Sequence, residues 1–354
     1  MRVLLLGSTG IVGAAVAHAL EERGQGCDPL DPRRGPAAAR DAVEAAVGEA
    51  AVGEAVVVIT ATGGDLPVTR AVIDRAVAAG IDVVDVDREV GHLIWLHRTA
   101  AVGATASGAR LVGAAGVRFA VGDLLAALAA EVVEVPTSLH VAYTGGGGTT
   151  VATPGERRAA AAALGRTGTA RLDHRAVEEH PGEVRRLAWF PRPVGPSHAA
   201  AVPGGEVITV PLHLPELATI RTYESLTGWR AELLQARANL ARTGWGRRLL
   251  LQRLARAPRR QGPALRAGQR WGCVAEVAGV EQLGRAWAYG HDPVRVSAEL
   301  TAELVLGLLA AAGPGDGGGA RAPSQVVDPV RALDAIADRT DLRWSRSSVA
   351  LPAR

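Results

Sequence analysis

The sequence predicts an α/β fold: a parallel sheet with a trimmed first half, and an inserted α+β domain whose sheet is mostly antiparallel. Three observations carry this. Residues 1–24 read as strand, tight turn and helix; buried strand patterns alternate with helical ones as far as residue 114; and from residue 138 onward strand patterns succeed one another with few helices between them.

The opening MRVLLLGSTGIVGAAVAHAL supports two readings. A basic start, an apolar run and Ala17-His18-Ala19 resemble an export signal, whereas Gly7, Gly10 and Gly13 resemble a nucleotide-binding turn. The next ninety residues decide between them. Arg2 to Leu6 is a buried strand and Ile11 to Arg23 a helix stopped by Gly24; then come strands at Ala55 to Ala61, Ile81 to Val86 and Arg110 to Ala114, with a helix from Val68 to Ala79. An export signal requires no such alternation, and a Rossmann-type sheet does. One glycine permits the sharp turn, one lets backbone approach a pyrophosphate, and one lets helix pack on strand. Gly7, Ser8, Thr9, Gly10, Ile11 and Gly13 are therefore the first cofactor-binding candidates, with the helix amides facing the phosphates. The expected cofactor is NADP, with NAD possible.

The second strand is weaker. In GQGCDPLDPRRGP, Asp28 and Asp31 suit the ribose of NAD, and Arg33 and Arg34 suit the 2'-phosphate of NADP, while Pro29 and Pro32 cannot donate to a ladder. The strand must be short or bent. The segment from Gly24 to Ala55 is about as long as one strand-helix-strand unit of ~30 residues, so one crossover fits and two do not. The helix filling it carries a tandem AVGEA at 46–50 and 51–55.

With 354 residues, two domains are the expectation. Apolar residues make up 48%, charged ones 21% and aromatic ones 3%, so the core is aliphatic. Lysine is absent and all 39 basic residues are arginine, which excludes the Tyr-x-x-x-Lys device of short-chain dehydrogenases and any lysine acid-base chemistry. A net charge of +3 argues against nucleic-acid binding. Eleven arginines and one acid between Trp229 and Arg270 are interleaved with leucines, as on solvated helix faces. Cys27 and Cys273 form no metal or redox spacing, the histidines no ligand spacing, and no long uncharged apolar stretch points to a membrane span. A cytoplasmic protein without metal, acting on a small or carrier-bound molecule, is expected, with a homodimer as the candidate assembly.

Several segments in order resemble the saccharopine dehydrogenase-like family, in particular its bacterial branch of trans-acting enoyl reductase-like proteins. These are GSTGIVG, VVVITATGG, AGIDVVDVDRE, LVGAAGVRFAVGDLLA, YTGGGGTT, FPRPVG, GGEVITVP and GHDPVRVSAELTAELVLGLL. Departures are Gly64 in place of a proline, the eroded second strand and Val294 in place of an aromatic. The resemblance implies a nucleotide domain at 1–118 to which 291–313 returns, an inserted domain at 119–290 and a C-terminal extension at 314–354. It implies that Thr60, Ala61, Thr62, Gly63, Asp85 and Gly116 lie at the cofactor, and it maps an Asp-x-x-x-Glu onto Asp85 and Glu89. The later segments SLHVAYT, EVRRLAWF, GEVITV, ATIRTY, WGCVAEVAG and EQLGRAWAYG read as strands, and Gly313 to Ala322 as a surface loop.

A nicotinamide cofactor leaves the protein to position substrate and supply a proton or a counter-charge. Asp85, Asp87 and Glu89 lie where parallel sheets bind ligands; they serve either as acid and substrate contacts, or as caps of the helix Val90 to Ala101 and partners of Arg88. Arg118 suits a carboxylate or enolate oxygen, and Asp123 a cap for a helix from Leu124 to Glu131. Tyr143 is the candidate proton donor and His140 the second, on opposite strand faces. Gly145, Gly146, Gly147 and Thr149 form either a side-chain-free wall for substrate or a plain connector, ahead of a capping box at Thr153, Pro154 and Glu156 that starts a helix to Leu164. The leading expectation is an NAD(P)H-dependent reductase of a C=C, C=N or C=O bond in a small or carrier-bound metabolite of specialised biosynthesis. The alternative is a non-redox cyclase or isomerase in the same two-domain cleft, with weak or structural cofactor binding.

Overall fold

The computed structural model describes residues 2–30, 35–50, 55–145, 167–226, 230–256, 268–311 and 317–350. Asp31, Arg33, Arg34, Gly146, Gly147, Thr149 and the capping box from Thr153 to Glu156 lie outside the described residues. In chain order the strands are β1 (Arg2–Leu6), β2 (Asp28–Leu30), β3 (Val56–Thr60), β4 (Asp82–Asp85) and β5 (Arg110–Val112). Next come β6 (Ser138–Thr144), β7 (Gly168–Leu172), β8 (Arg175–Glu179), β9 (Arg185–Trp189) and β10 (Pro196–Ala201). The last five are β11 (Thr219–Ser225), β12 (Arg270–Ala278), β13 (Gln282–His291), β14 (Gly319–Arg321) and β15 (Arg343–Ala350).

Contacts divide the chain into two compact units, 1–120 with 294–328, and 121–293 with 329–354. The first holds a six-stranded sheet, β14-β5-β4-β3-β1-β2, parallel at every pairing. Only β2, three residues long, lies beyond β1, so this half of the sheet is trimmed as the sequence predicts. Continuous burial of β1 and β3 on both faces explains their unbroken aliphatic sequence. The late helix Pro293–Ala310 belongs to this unit from Val294 onward. Arg23, at the end of the first helix, reaches its Glu299 at 2.7 Å and Glu303 at 2.8 Å, and Arg110 caps its last turn through the carbonyls of Leu308 (2.7 Å) and Ala311 (3.2 Å).

The second unit holds a nine-stranded sheet, β15-β13-β12-β6-β11-β10-β9, with the hairpin β7–β8 joined to β11. It is antiparallel except for the β6–β11 pair. The helix Ala120–Ala130 covers one face. A Cβ on Gly122 would overlap the Tyr143 hydroxyl and the Glu206 carboxylate, so this helix approaches β6 only because residue 122 is glycine. Among the described residues no helix is long and apolar enough to cross a membrane.

Four expectations are corrected. GEVITV is not a strand: Glu206–Thr209 is a helical turn continued by a 3-10 turn at Val210–Leu212. A short buried apolar run fits either state, and Pro211 cannot serve a ladder. The helix expected at Leu124 starts at Ala120, so Asp123 lies inside it and does not cap it; its carboxylate faces His213 Nε2 at 3.2 Å. The Gly313 to Ala322 loop contains β14, which extends the first sheet beside β5. Residues 314–354 are not one extension, because β14 joins the first sheet and β15 the second.

The fold makes Gly13 irreplaceable: a Cβ there would stand 2.7 Å from the Gly7 carbonyl carbon, whereas nothing lies within 4 Å of one on Gly26. Gly13→Ala is expected to lower stability by about 1–3 kcal/mol in chemical denaturation, with Gly26→Ala close to neutral. Equal stability of the two variants would contradict the close packing.

Candidate functional site

The first sheet reverses its winding at β1, whose neighbours β2 and β3 lie on opposite sides, and parallel sheets bind ligands beyond the carboxyl ends of strands at such a point. Gly7 leaves β1 at φ +90°, a conformation that favours glycine, and a Cβ there would stand 2.5 Å from the Ala61 carbonyl oxygen. The Gly10 amide closes the turn on the Gly7 carbonyl at 2.9 Å. Gly10 is the N-cap of the Ile11–Glu21 helix and brings no capping side chain, and the first turn contains no acid. The amides opening this helix thus keep their positive end for an outside anion. Gly7 and Gly13 are buried, Ser8, Gly10 and Ile11 half-buried and Thr9 exposed. The turn therefore presents backbone alone at the start of the helix.

Beside it, Ala61, Thr62 and Gly63 leave β3; Ala61 donates to the Leu6 carbonyl at 2.9 Å, and the Thr62 and Thr69 hydroxyls lie 2.7 Å apart. Thr60 and Asp85 have no exposed surface, and the Thr60 hydroxyl donates to Asp85 Oδ1 at 2.5 Å. His92, equally buried, places Nε2 3.3 Å from Asp85 Oδ2 and stacks on Trp95, over which Arg70 lies at 4.8 Å. Glu89 is the N-cap of the Val90–Trp95 helix, accepting from the His92 amide at 2.5 Å, and Asp87 accepts from the Glu89 amide at 2.9 Å. Asp87 and Glu89 are both buried. The capping alternative for Glu89 is therefore realised.

Burial, then the charge of Asp85, raise the Asp87 carboxyl above its ordinary range. Burial pulls His92 down, but the Asp85 charge and hydrogen bond together with Asp87 outweigh it, so the imidazole is raised above 6.5. After β5, Ala114 (φ 56°) and Phe119 (φ 81°) hold left-handed conformations unusual for non-glycine residues. The intervening loop is tied by the Val117 amide to Ser297 Oγ at 2.9 Å and by Thr301 Oγ1 to the Ala115 carbonyl at 3.1 Å. This loop carries Gly116 and the half-buried Arg118.

In the second unit Tyr143 and His140 occupy opposite faces of β6, as strand alternation requires. The Tyr143 hydroxyl donates to Glu206 Oε1 within the helix-covered face. His140 Nδ1 faces the Tyr223 hydroxyl at 3.2 Å on the other, and burial together with Arg186 and Arg221 lowers it to about 3. His140 is thus neutral at physiological pH and holds no proton to give as an imidazolium. Gly145, at φ 76°, packs against the Arg270 carbonyl.

Sequence reasoning missed His92 and Glu206. His92 was signalled by its spacing, three residues beyond the capping Glu89; Glu206 was hidden by reading its turn as a strand.

No family model matches the chain, and no curated protein sequence matches it. Among solved structures, saccharopine dehydrogenase (L-Glu forming) from Saccharomyces cerevisiae matches over 99% of this chain and 100% of its own, at 13% identity and TM-score 0.55. GenD2 from gentamicin A biosynthesis, solved in complex with NAD, matches over 100% and 97% at 15% identity and TM-score 0.39. Amine dehydrogenase from Mycobacterium smegmatis matches over 91% and 95% at 11% identity and TM-score 0.42. The first likeness is one of fold; the other two superpose too loosely to add to it.

Two outcomes test this geometry. The folded His92 holds its proton more tightly than an unfolded histidine, so its stabilisation is complete below about pH 6.5 and is lost as pH rises through the folded value. Asp87, also raised, acts in the same sense. The melting temperature of the native chain is expected to fall between about pH 6 and pH 9 more steeply than that of His92→Gln; parallel curves would contradict the pairing. Tyr143→Phe withdraws a donor from the buried Glu206 and is expected to cost about 1–3 kcal/mol in denaturation, against no change for a merely peripheral tyrosine.

Proposed function

We propose that the chain is an NAD(P)H-dependent reductase acting on a C=C, C=N or C=O bond of a small or carrier-bound metabolite, of the enoyl reductase-like kind and in specialised biosynthesis. The observation that carries this is the turn from β1 into the first helix. Gly7 and Gly13 touch backbone so closely that no side chain fits, and the helix beyond opens without a cap. That donor set, all backbone amide, fits a dinucleotide diphosphate. The bound cofactor supplies a hydride. The chain's own residues hold it through Gly7 to Gly13, with Asp31, or Arg33 and Arg34, reading the ribose. In this reading Arg118, on the loop fixed by Ser297 and Thr301, steadies a substrate oxygen as negative charge grows there. For the second unit we propose substrate binding, carried by His140 and Gly145.

Titration calorimetry with NADPH and NADH tests the proposal. Either dinucleotide is expected to bind the native chain. Gly10→Val should weaken it at least about tenfold: the extended backbone of residue 10 accepts a side chain, its Cβ meets the Gly7 carbonyl oxygen at a tight 3.1 Å that the turn must yield to slightly, and the added bulk stands beside the first-helix amides, with circular dichroism showing that the variant is folded. Absence of binding by either dinucleotide, or an unchanged affinity in a folded Gly10→Val, would overturn the reading.

A further inference from the structure

Across four adjacent strands of the second sheet, one row of paired residues reads Arg285, Glu276, His140, Arg221, all on the face away from the Ala120–Ala130 helix. Arg186 joins it from β9. In a flat sheet β9 would stand four spacings, about 19 Å, from β12, yet Arg186 Nη2 donates to Glu276 Oε2 at 2.7 Å. The sheet therefore curls around this face. The guanidinium also lies 5.6 Å over the Tyr223 ring, and Ala142, Ala188, Ala199, Ala201 and Val274 line the curl with Tyr223.

The charges inside the curl do not balance. Arg186 and Arg285 share the single carboxylate of Glu276, which is 3% exposed, and Arg221 approaches Glu179 at 3.3 Å without hydrogen-bond geometry. Three guanidiniums thus face two carboxylates. His140 does not add a charge, since burial and the two arginines keep it neutral. Arg186 Nη1 is buried with no hydrogen-bond partner among the described residues, and a buried donor of a charged group left without a partner is costly. The Arg186 side chain is 26% exposed and that of Arg221 22%, so both guanidiniums keep a solvent-facing part.

We propose that Arg186, Arg221, His140 and Tyr223 form a binding site for the carboxylate of a small organic acid. A planar carboxylate supplies the missing negative charge, accepts from the free Arg186 nitrogen and from the forked Arg221, and meets the hydroxyl of Tyr223 beside neutral His140. That the acid is the substrate of the reaction rests on the reductase reading; the site itself stands on this geometry alone.

Benzoate is the probe, benzamide its uncharged isostere, and inorganic phosphate the non-planar anion. Saturation-transfer NMR on the full chain without nucleotide is expected to show benzoate binding in the millimolar range and no benzamide binding. Arg221→Gln and Arg186→Gln should each weaken benzoate at least about tenfold, and Arg221→Lys should restore part of it. Arg221 is about one-fifth exposed and Glu276 keeps Arg285 in the Arg186 variant, so both folds can be checked by circular dichroism. The site is refuted by no benzoate binding up to about 50 mM, by equal binding of benzamide, by preferred binding of phosphate, or by folded glutamine variants that bind benzoate as the native chain does. Benzoate binding in a chain that ignores NADH and NADPH would sink the reductase reading and leave the site standing. If both ligands bind, competition by benzoate in turnover, against none, separates a substrate from an effector.

Discussion

Gly13 sets the first helix against Gly7 with no space for even one more carbon, and Gly7 in turn rests on the carbonyl of Ala61. This stack of three backbone segments fixes where β1 ends, where the helix begins and how β3 leaves the sheet. It also points the helix amides outward, free of any capping side chain. The sheet reverses its winding at the same strand. An uncapped helix start bordered by backbone results from packing, before any ligand is considered.

Beneath the neighbouring strands the polar groups turn inward. Thr60 donates to Asp85 in the core and His92 stands 3.3 Å from its other oxygen as an ion-pair partner, while Glu89 caps the helix that carries His92. Such a network holds the ends of β3 and β4 in place, and its members have little surface left for a ligand. In the second unit the curl of the sheet does the opposite: it gathers arginines from separate strands around one carboxylate and leaves positive charge in excess.

Much of the first unit was legible because its strands are buried on both faces and read as unbroken aliphatic runs between glycines. The loss of a strand beyond β2 could be read from chain length and two prolines. The second unit was harder. β7, β8 and β10 are short or polar; β7–β8 and β9–β10 are local hairpins, but the pairings of β7 and β10 with β11 join residues distant in sequence. GEVITV obeys strand and helix patterns equally, and only its packing decides. Tyr143 and His140 were correctly set on opposite faces, because alternation is local, but their partners Glu206 and Tyr223 are tertiary and carry no spacing signal. The paired arginines escaped notice for the same reason: Arg186 meets Glu276 only because the sheet bends.

Phosphorus NMR of NADPH in the presence of the chain reads the central claim directly, since the diphosphate signals report the group that the first-helix amides would hold. Broadened and shifted diphosphate resonances, restored to their free positions in Gly10→Val, are the predicted result. Diphosphate signals that stay sharp and unmoved at saturating protein would show that this turn grips no dinucleotide.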